Sequence, residues 1–406
     1  MGQLGPREIL NSVGLNILTS KFAVSGSFRR MTELMNESLY RHEEDQFKSR
    51  TMCSQAERIG MEMKAGLERQ SQEILQSYGI VEGKNEPNSE DEKREPQGTE
   101  WRYDEKEVRR IAEEYNSKHN SEDEKISETA IQAAYEKPEY TTYVCPDDIG
   151  VHKQKEHRKS TPNQMEQRGT GKKHRQYVEN TVISVHTQGD KDDTSKTHFF
   201  AGVGMRMVFL WTLAFLLVND KLRDKKLIFF SDGAANIRTK VKEIFGFRSF
   251  EIRLDWFHLL KKLEQLLSMG IRSTEKRNEI LNKLKNILWA GNVDRALEYI
   301  ANIDSKNIKS MNALNQITTY LTKHKSEIPC YAIRRYLGLR NSSQSAESAN
   351  YVLVANRQKT SGMSWSDNGS EALTIIQTVY ENGETENWFR SHSFSMLRNP
   401  LTSKAA

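Results

Sequence analysis

The sequence predicts an α/β protein: a mixed sheet flanked by helices, interrupted by an all-helical block and preceded by a helical N-terminal region. Three observations carry that reading. Runs rich in β-branched and aromatic residues, "YTTYVC" (140–145), "NTVISVHT" (180–187) and "THFFAGVG" (197–204), follow one another as the strands of a meander. The stretch "KKLIFF", a helix opening near Gly233 and "SFEIRL" (249–254) then read as strand, helix, strand, a crossover that lays the later strands parallel to a core strand. From Trp256 to Lys325 apolar residues recur at helical spacing, as in Leu259/Leu263/Leu267, Ile280/Leu284/Ile287 and Leu314/Ile317/Leu321.

Taken in order, residues 1–80 read as helices, with Ile9, Leu10, Val13 and Leu15, and later Ile59, Met61, Met63 and Leu67, near the helical period. Residues 81–100, "VEGKNEPNSEDEKREPQGTE", have almost no apolar content and read as an acidic flexible linker. A charged helical segment over 101–137 follows, its apolar stripe made by Val108, Ile111, Ala112 and Tyr115. The sheet domain is expected over 138–255 and 331–385, the helical insertion over 256–330 and a C-terminal tail over 386–406. Within the sheet domain, "MVFLWTLAFLLV" (207–218) is twelve residues long. A bilayer helix needs roughly 20, so this run is expected to be a buried helix and no membrane partner is implied.

Composition narrows the function classes. The chain has 406 residues, 28% charged and 36% apolar, the balance of a globular protein of two or three domains. Its N-terminus lacks the basic start and apolar stretch of a secretory signal, so a cytoplasmic location is expected. The three cysteines, Cys53, Cys145 and Cys330, are far apart and form no CxxC pair, which argues against a disulfide framework or a zinc ribbon. "GTGKK" (169–173) lacks the spacing of a Walker loop, so no nucleotide cofactor is expected. The net charge of +5 is modest, but His152–Arg175 carries eight Lys/Arg against two Glu. That segment, with Lys153, Lys155, Arg158, Lys159, Lys172, Lys173 and Arg175, suits a polyanion such as nucleic acid, and Arg340, Arg357 and Lys359 add to it later in the chain.

Acids recur where strands end. Asp147 and Asp148 follow "TTYVC", Asp232 follows "LIFFS" and Asp255 follows "IRL". One such aspartate reads as a turn or helix cap. Several on neighbouring strands gather carboxylates at one sheet edge, where they repel unless a hard cation such as Mg²⁺ neutralises them. Asp255 and His258 are three apart, on adjoining positions of one helical face, and His258 lies opposite the Leu259/Leu263/Leu267 stripe. Asp255 also reads as the cap of that helix.

The phrases "DDIGV", "IFFSDGAANI", "LDWFHLLKKLEQLL" and "NSSQSAESANYVLVANRQKTSGMSWS", spread over residues 138–385, resemble the Mutator-like DDE-type transposases of bacterial insertion sequences. The resemblance implies a ribonuclease H-like catalytic domain with a helical insertion. It places the catalytic and metal-binding acids on Asp147, Asp232 and Glu347, counts His258 of the Asp255-x-x-His258 pair with the catalytic residues beside them, and leaves Asp148, Asp255 and Glu371 as alternates. It implies two Mg²⁺ ions about 4 Å apart, with Mn²⁺ able to substitute, activating a water or a 3′-hydroxyl for in-line attack on phosphate. The implied partner is double-stranded DNA, at terminal inverted repeats, bound by a homo-oligomer near the nucleoid. The helical N-terminal region would then bind the DNA ends. A catalytically silent DNA-binding derivative and a ribonuclease H-like nuclease without strand transfer are the competing readings.

Overall fold

The computed structural model describes residues 12–81, 86–154, 176–187, 196–360 and 362–398. The chain opens with α1 (Val13–Ala23), α2 (Phe28–Ser38), the long α3 (Ser49–Ser77) and, after an extended stretch, α4 (Glu105–Ser117). Strands β1 (Thr141–His152), β2 (Tyr177–Thr187) and β3 (Lys196–Val203) form the antiparallel meander, and α5 (Met205–Val218) crosses to β4 (Lys226–Ser231). Helix α6 (Ala235–Phe245) then leads to β5 (Glu251–Leu254). Both β4 and β5 run parallel to β1, giving a mixed five-stranded sheet of order β3-β2-β1-β4-β5.

Helices α7 (Trp256–Gly270), α8 (Thr274–Trp289), α9 (Val293–Ala301) and α10 (Met311–Lys323) pack around a core of their own that includes Leu259, Leu263, Leu284, Ile287, Ile317 and Leu321. The chain returns to the sheet through α11 (Tyr331–Tyr336) and α12 (Gln344–Asn350), which continues into a π-helical turn (Tyr351–Ala355). Then α13 (Asp367–Glu381) and α14 (Thr385–Ser391) close the described chain. Helix α5 is buried along nearly its whole length, and no helix among the described residues is long and apolar enough to cross a membrane.

Four expectations need correction. Strand β1 does not stop before Pro146 but runs on to His152, so Asp147 and Asp148 lie within it. The β1–β4 ladder ends at Val144↔Phe229, and beyond it β1 pairs only with β2. A proline, which has no N–H to donate, is tolerated where one side of a strand lacks a partner. The N-terminal helices are not a separate module, because Met52, Ala56, Ile59 and Met63 share one core with Trp211, Phe229 and Ile375. The described part of the expected linker, residues 86–100, is docked: the Arg248 guanidinium donates to the carbonyls of Glu92, Leu222 and Lys225, and Arg94 grips Asp224 through two bonds of 2.6 Å. Charge complementarity with a distant segment, rather than apolar content, orders it. The expected tail also packs inward up to residue 398, burying Trp388, Phe394 and Leu397 in the same core.

The α3–α13 contact is close enough to be testable. A Cβ on Gly60 would lie 2.5 Å from the Ala372 carbonyl oxygen and 2.6 Å from its Cα, both backbone atoms that cannot swing aside. Gly60→Ala gains about 1 kcal/mol of helix propensity. The overpacking penalty, roughly 1–3 kcal/mol or more, opposes it and should win. Urea unfolding of this variant is expected to show a lower midpoint than wild type with an unchanged slope.

Candidate active site

Register brings the strand-end acids together. Tyr143 pairs with Ile228 and Ile228 with Glu251; continued past the last paired residues, Val144↔Phe229 and Ser231↔Leu254, the same register would bring Asp147, Asp232 and Asp255 onto one extrapolated rung at the sheet edge. Register partners in parallel strands project from the same face, while Asp148 projects from the other. Its carboxylate is held there by Thr181 Oγ1 at 2.7 Å and Asn236 Nδ2 at 2.9 Å.

Each acid has a distinct environment. Asp232 leaves β4 through Gly233, whose φ of 91° is open to glycine but strained for other residues, and its Oδ1 accepts from the Ala234 N–H at 2.7 Å. Asp147 is held from above by α12, where Asn350 Nδ2 donates to Asp147 Oδ2 at 2.6 Å. Burial above all, with Asp232 and Asp148 adding, pushes the Asp147 carboxyl up to about 6 against the downward pull of the Asp148 N–H and His258. Asp255 is 1% exposed and caps α7, accepting from the His258 N–H, the His258 ring and both the N–H and hydroxyl of Ser343. Burial works against its charge, but the bonds from His258 and Ser343 outweigh burial and hold its pKa below the usual carboxylate range.

His258 is the hinge between the rung and α12. Its Nδ1 meets Asp255 Oδ1 at 3.1 Å while its Nε2 faces Glu347 Oε1 at 3.9 Å. The bond to Asp255 raises its pKa against a smaller effect of burial, with Asp147 and Asp232 adding to the rise. Glu347 itself is half exposed and lies on the solvent side of His258.

The donor set fits a hard divalent cation in chemistry, since every group on the rung offers oxygen. Asn350 Oδ1, buried beside Asp147, has no hydrogen-bond partner among the described residues and adds a further oxygen. The acids do not converge on a point in this conformation: among the described residues no group of three His, Cys, Asp or Glu side chains is arranged to hold a metal.

The remaining sequence-derived sites fall elsewhere. Glu371 is buried on α13 and paired with Lys64 at 2.6 Å, so it belongs to the α3–α13 interface rather than to the rung. Arg357 is also buried, donating to the Ala23 carbonyl between the Phe28 and Trp365 rings, which rules it out as a surface contact for DNA. Lys153 pairs with Asp367 at 2.6 Å, Arg340 donates to His186 Nδ1 at 3.0 Å, and Lys359 is exposed. Lys155, Arg158, Lys159, Lys172, Lys173 and Arg175 lie outside the described residues. Sequence reading missed Asn350, although its position three residues after Glu347 places both on one helical face.

No family model matches the chain. It is 27% identical over 182 residues, 44% of its length, to the UPF0236 protein in the vanSb 3′ region of Streptococcus gallolyticus. The matched part spans 38% of that relative. Among solved structures, a chain of the Drosophila P element transposase strand transfer complex aligns with 73% of this chain and 74% of its own, at 9% identity and a TM-score of 0.21.

The burial of Asp147 predicts a pH effect. The Asp147 carboxyl sits above its ordinary value in the fold, so the stability it contributes is full below about 4 and is lost as pH rises through about 6. Metal-free Asp147→Asn should therefore be more stable than wild type at pH 7–8, by on the order of 3 kcal/mol, and the gap should close towards pH 4. Denaturant melts in EDTA across that range measure the difference.

Proposed function

We propose that the chain is a transposase-type polynucleotidyl transferase that cuts phosphodiester bonds at DNA ends and joins the freed 3′-hydroxyl to a target, on a ribonuclease H-like sheet. The observation that carries the reading is the shared rung of Asp147 and Asp232, with Asn350 and Glu347 brought over it by α12. Divalent metal, Mg²⁺ or Mn²⁺, would supply nucleophile activation and charge neutralisation at the phosphate, held by Asp147, Asp232 and Glu347. Asp147 is preferred over Asp148 because it shares the face of Asp232, whereas Asp148 is committed to Thr181 and Asn236.

The protein groups around the rung have separable tasks in this reading. Asn350 orients the Asp147 carboxylate through a 2.6 Å bond. Asp255 fixes the His258 ring by its Nδ1 and leaves Nε2 directed towards Glu347. When protonated there, His258 offers an N–H to a non-bridging phosphate oxygen. The packed strands fix the backbone from which Asp147 and Asp232 project, so that only a side-chain adjustment would bring their carboxylates to a common ion.

A labelled DNA duplex ending in the terminal inverted repeats that flank the gene, incubated with MgCl₂ or MnCl₂, tests the proposal. Wild type is expected to nick the end and join it to a second duplex. Asp232→Asn should reduce both steps by about 10³-fold, the scale on which a single preorganised charge-stabilising group acts. Activity that survives in Asp232→Asn would sink the site assignment. Cutting without joining would favour the nuclease reading, and binding without cutting the silent DNA-binding one.

A further inference from the structure

The rung opens on a polar groove that the acids themselves do not explain. A cavity of about 680 Å³ begins at Asp232 and His258 and continues between α7 and α10 of the helical insertion. On α7, His258, Lys261, Lys262 and Gln265 follow at helical spacing on the face opposite the buried Leu259, Leu263 and Leu266. On α10, residues from Asn312 to Lys323 line the facing wall, with Leu314, Ile317 and Leu321 turned into the core below. His324, at the end of α10, lies 3.0 Å from where a Cβ of Gly233 would stand, and His258, in the first turn of α7, also borders the Asp232 end. The two helices therefore lie antiparallel, with both stripes starting at the rung.

The charge of the groove is one-sided. Lys261, Lys262 and Lys323 are exposed, and none forms an ion pair among the described residues. Elsewhere in the insertion Lys276 pairs with Glu279 and Lys325 with Asp294, while Lys285 and Lys309, which lie off the groove, form no ion pair among the described residues. Among the described residues Asp232 is the one acid lining the groove, and the neutral lining is rich in amides such as Gln265 and Gln316. The eight residues of α7 from His258 to Gln265 span seven steps, about 10 Å of helix. That length matches about three nucleotide steps of one strand at roughly 3.4 Å each.

We infer that the α7–α10 groove is a binding track for the sugar-phosphate backbone of DNA, with Lys261, Lys262 and Lys323 contacting the phosphates that lead away from the one placed over Asp232. The inference rests on the proposed function for the identity of the polymer. It needs no base readout, because lysines and amides neutralise and hydrogen-bond a backbone of any sequence. It also assigns the helical insertion a task in positioning the substrate.

The test is fluorescence anisotropy of a labelled 30-base-pair DNA duplex against the full chain in EDTA, titrated at several salt concentrations. The triple variant Lys261→Ala/Lys262→Ala/Lys323→Ala is expected to bind roughly tenfold more weakly near physiological salt. Its log K against log salt slope should be shallower by about 2.7, three contacts at about 0.9 each. The corresponding triple arginine variant should restore both. Lys285→Ala/Lys309→Ala, on the same helical block but off the groove, should match wild type. An unchanged affinity and slope in the triple alanine variant, or an equal loss in the control, would overturn the inference. So would a wild-type preference for the matching RNA duplex that the triple variant abolishes. Weakened binding in the triple variant combined with no metal-dependent cutting by wild type keeps the groove and sinks the catalytic reading. Metal-dependent cutting with an unaltered slope does the reverse.

Discussion

The in-phase parallel pairing of β1, β4 and β5 is the constraint from which the candidate site follows. A shift of one residue in either ladder would send an aspartate to the opposite face of the sheet. The register is held by what lies beneath the rung: Leu227 and Phe229 face the α5 side, Ile228 and Phe230 pack with Tyr143 and Cys145 on the other. Apolar burial on both faces fixes the strands, and the carboxylates extend from their ends at no freedom of their own. Burial, with smaller contributions from Asp232 and Asp148, raises the Asp147 carboxyl above its ordinary value.

A buried ionic cluster ties the returning helix α11 and the segment before β1 to this sheet. Glu136, 1% exposed, accepts from Arg253 on β5 at 2.7 Å, from Arg334 on α11 at 2.9 Å and from the Tyr143 hydroxyl on β1 at 2.9 Å. Removing one partner would leave the others desolvated, at a cost on the order of 3–5 kcal/mol. Above the cluster, Tyr331 Oη donates to the Leu254 carbonyl at 2.8 Å, immediately before Asp255, and the Trp256 N–H meets the Asn341 carbonyl. These bonds set the direction in which α7 leaves the sheet. They thereby place His258 over the rung and start the lysine stripe at its edge.

Much of this was legible in the sequence because it is local. The apolar run Leu227–Phe230 followed by Asp232 and Gly233 specifies a strand, a turn and a projecting acid, and Asp255-x-x-His258 specifies a capped helix with its histidine on the open face. What stayed hidden depends on distant partners. Residues 86–100 look like a linker until Arg248 and Asp224 supply their counter-charges, and Glu371 and Arg357 look like site residues until α3 and α1 cover them. The extension of β1 through Pro146 required knowing that β4 stops pairing with β1 at Phe229. Asn350 shares a helical face with Glu347 in the sequence, but only the fold aims it at Asp147.

The central claim is that the rung is a divalent cation site built on Asp147 and Asp232. Its most direct measurement is Mn²⁺ binding to the DNA-free chain, followed by electron paramagnetic resonance, in wild type, Asp232→Asn and Asp148→Asn. Wild type and Asp148→Asn should bind Mn²⁺, and Asp232→Asn should leave the ion free in solution. Equal binding by wild type and Asp232→Asn, or loss of binding in Asp148→Asn alone, would contradict it.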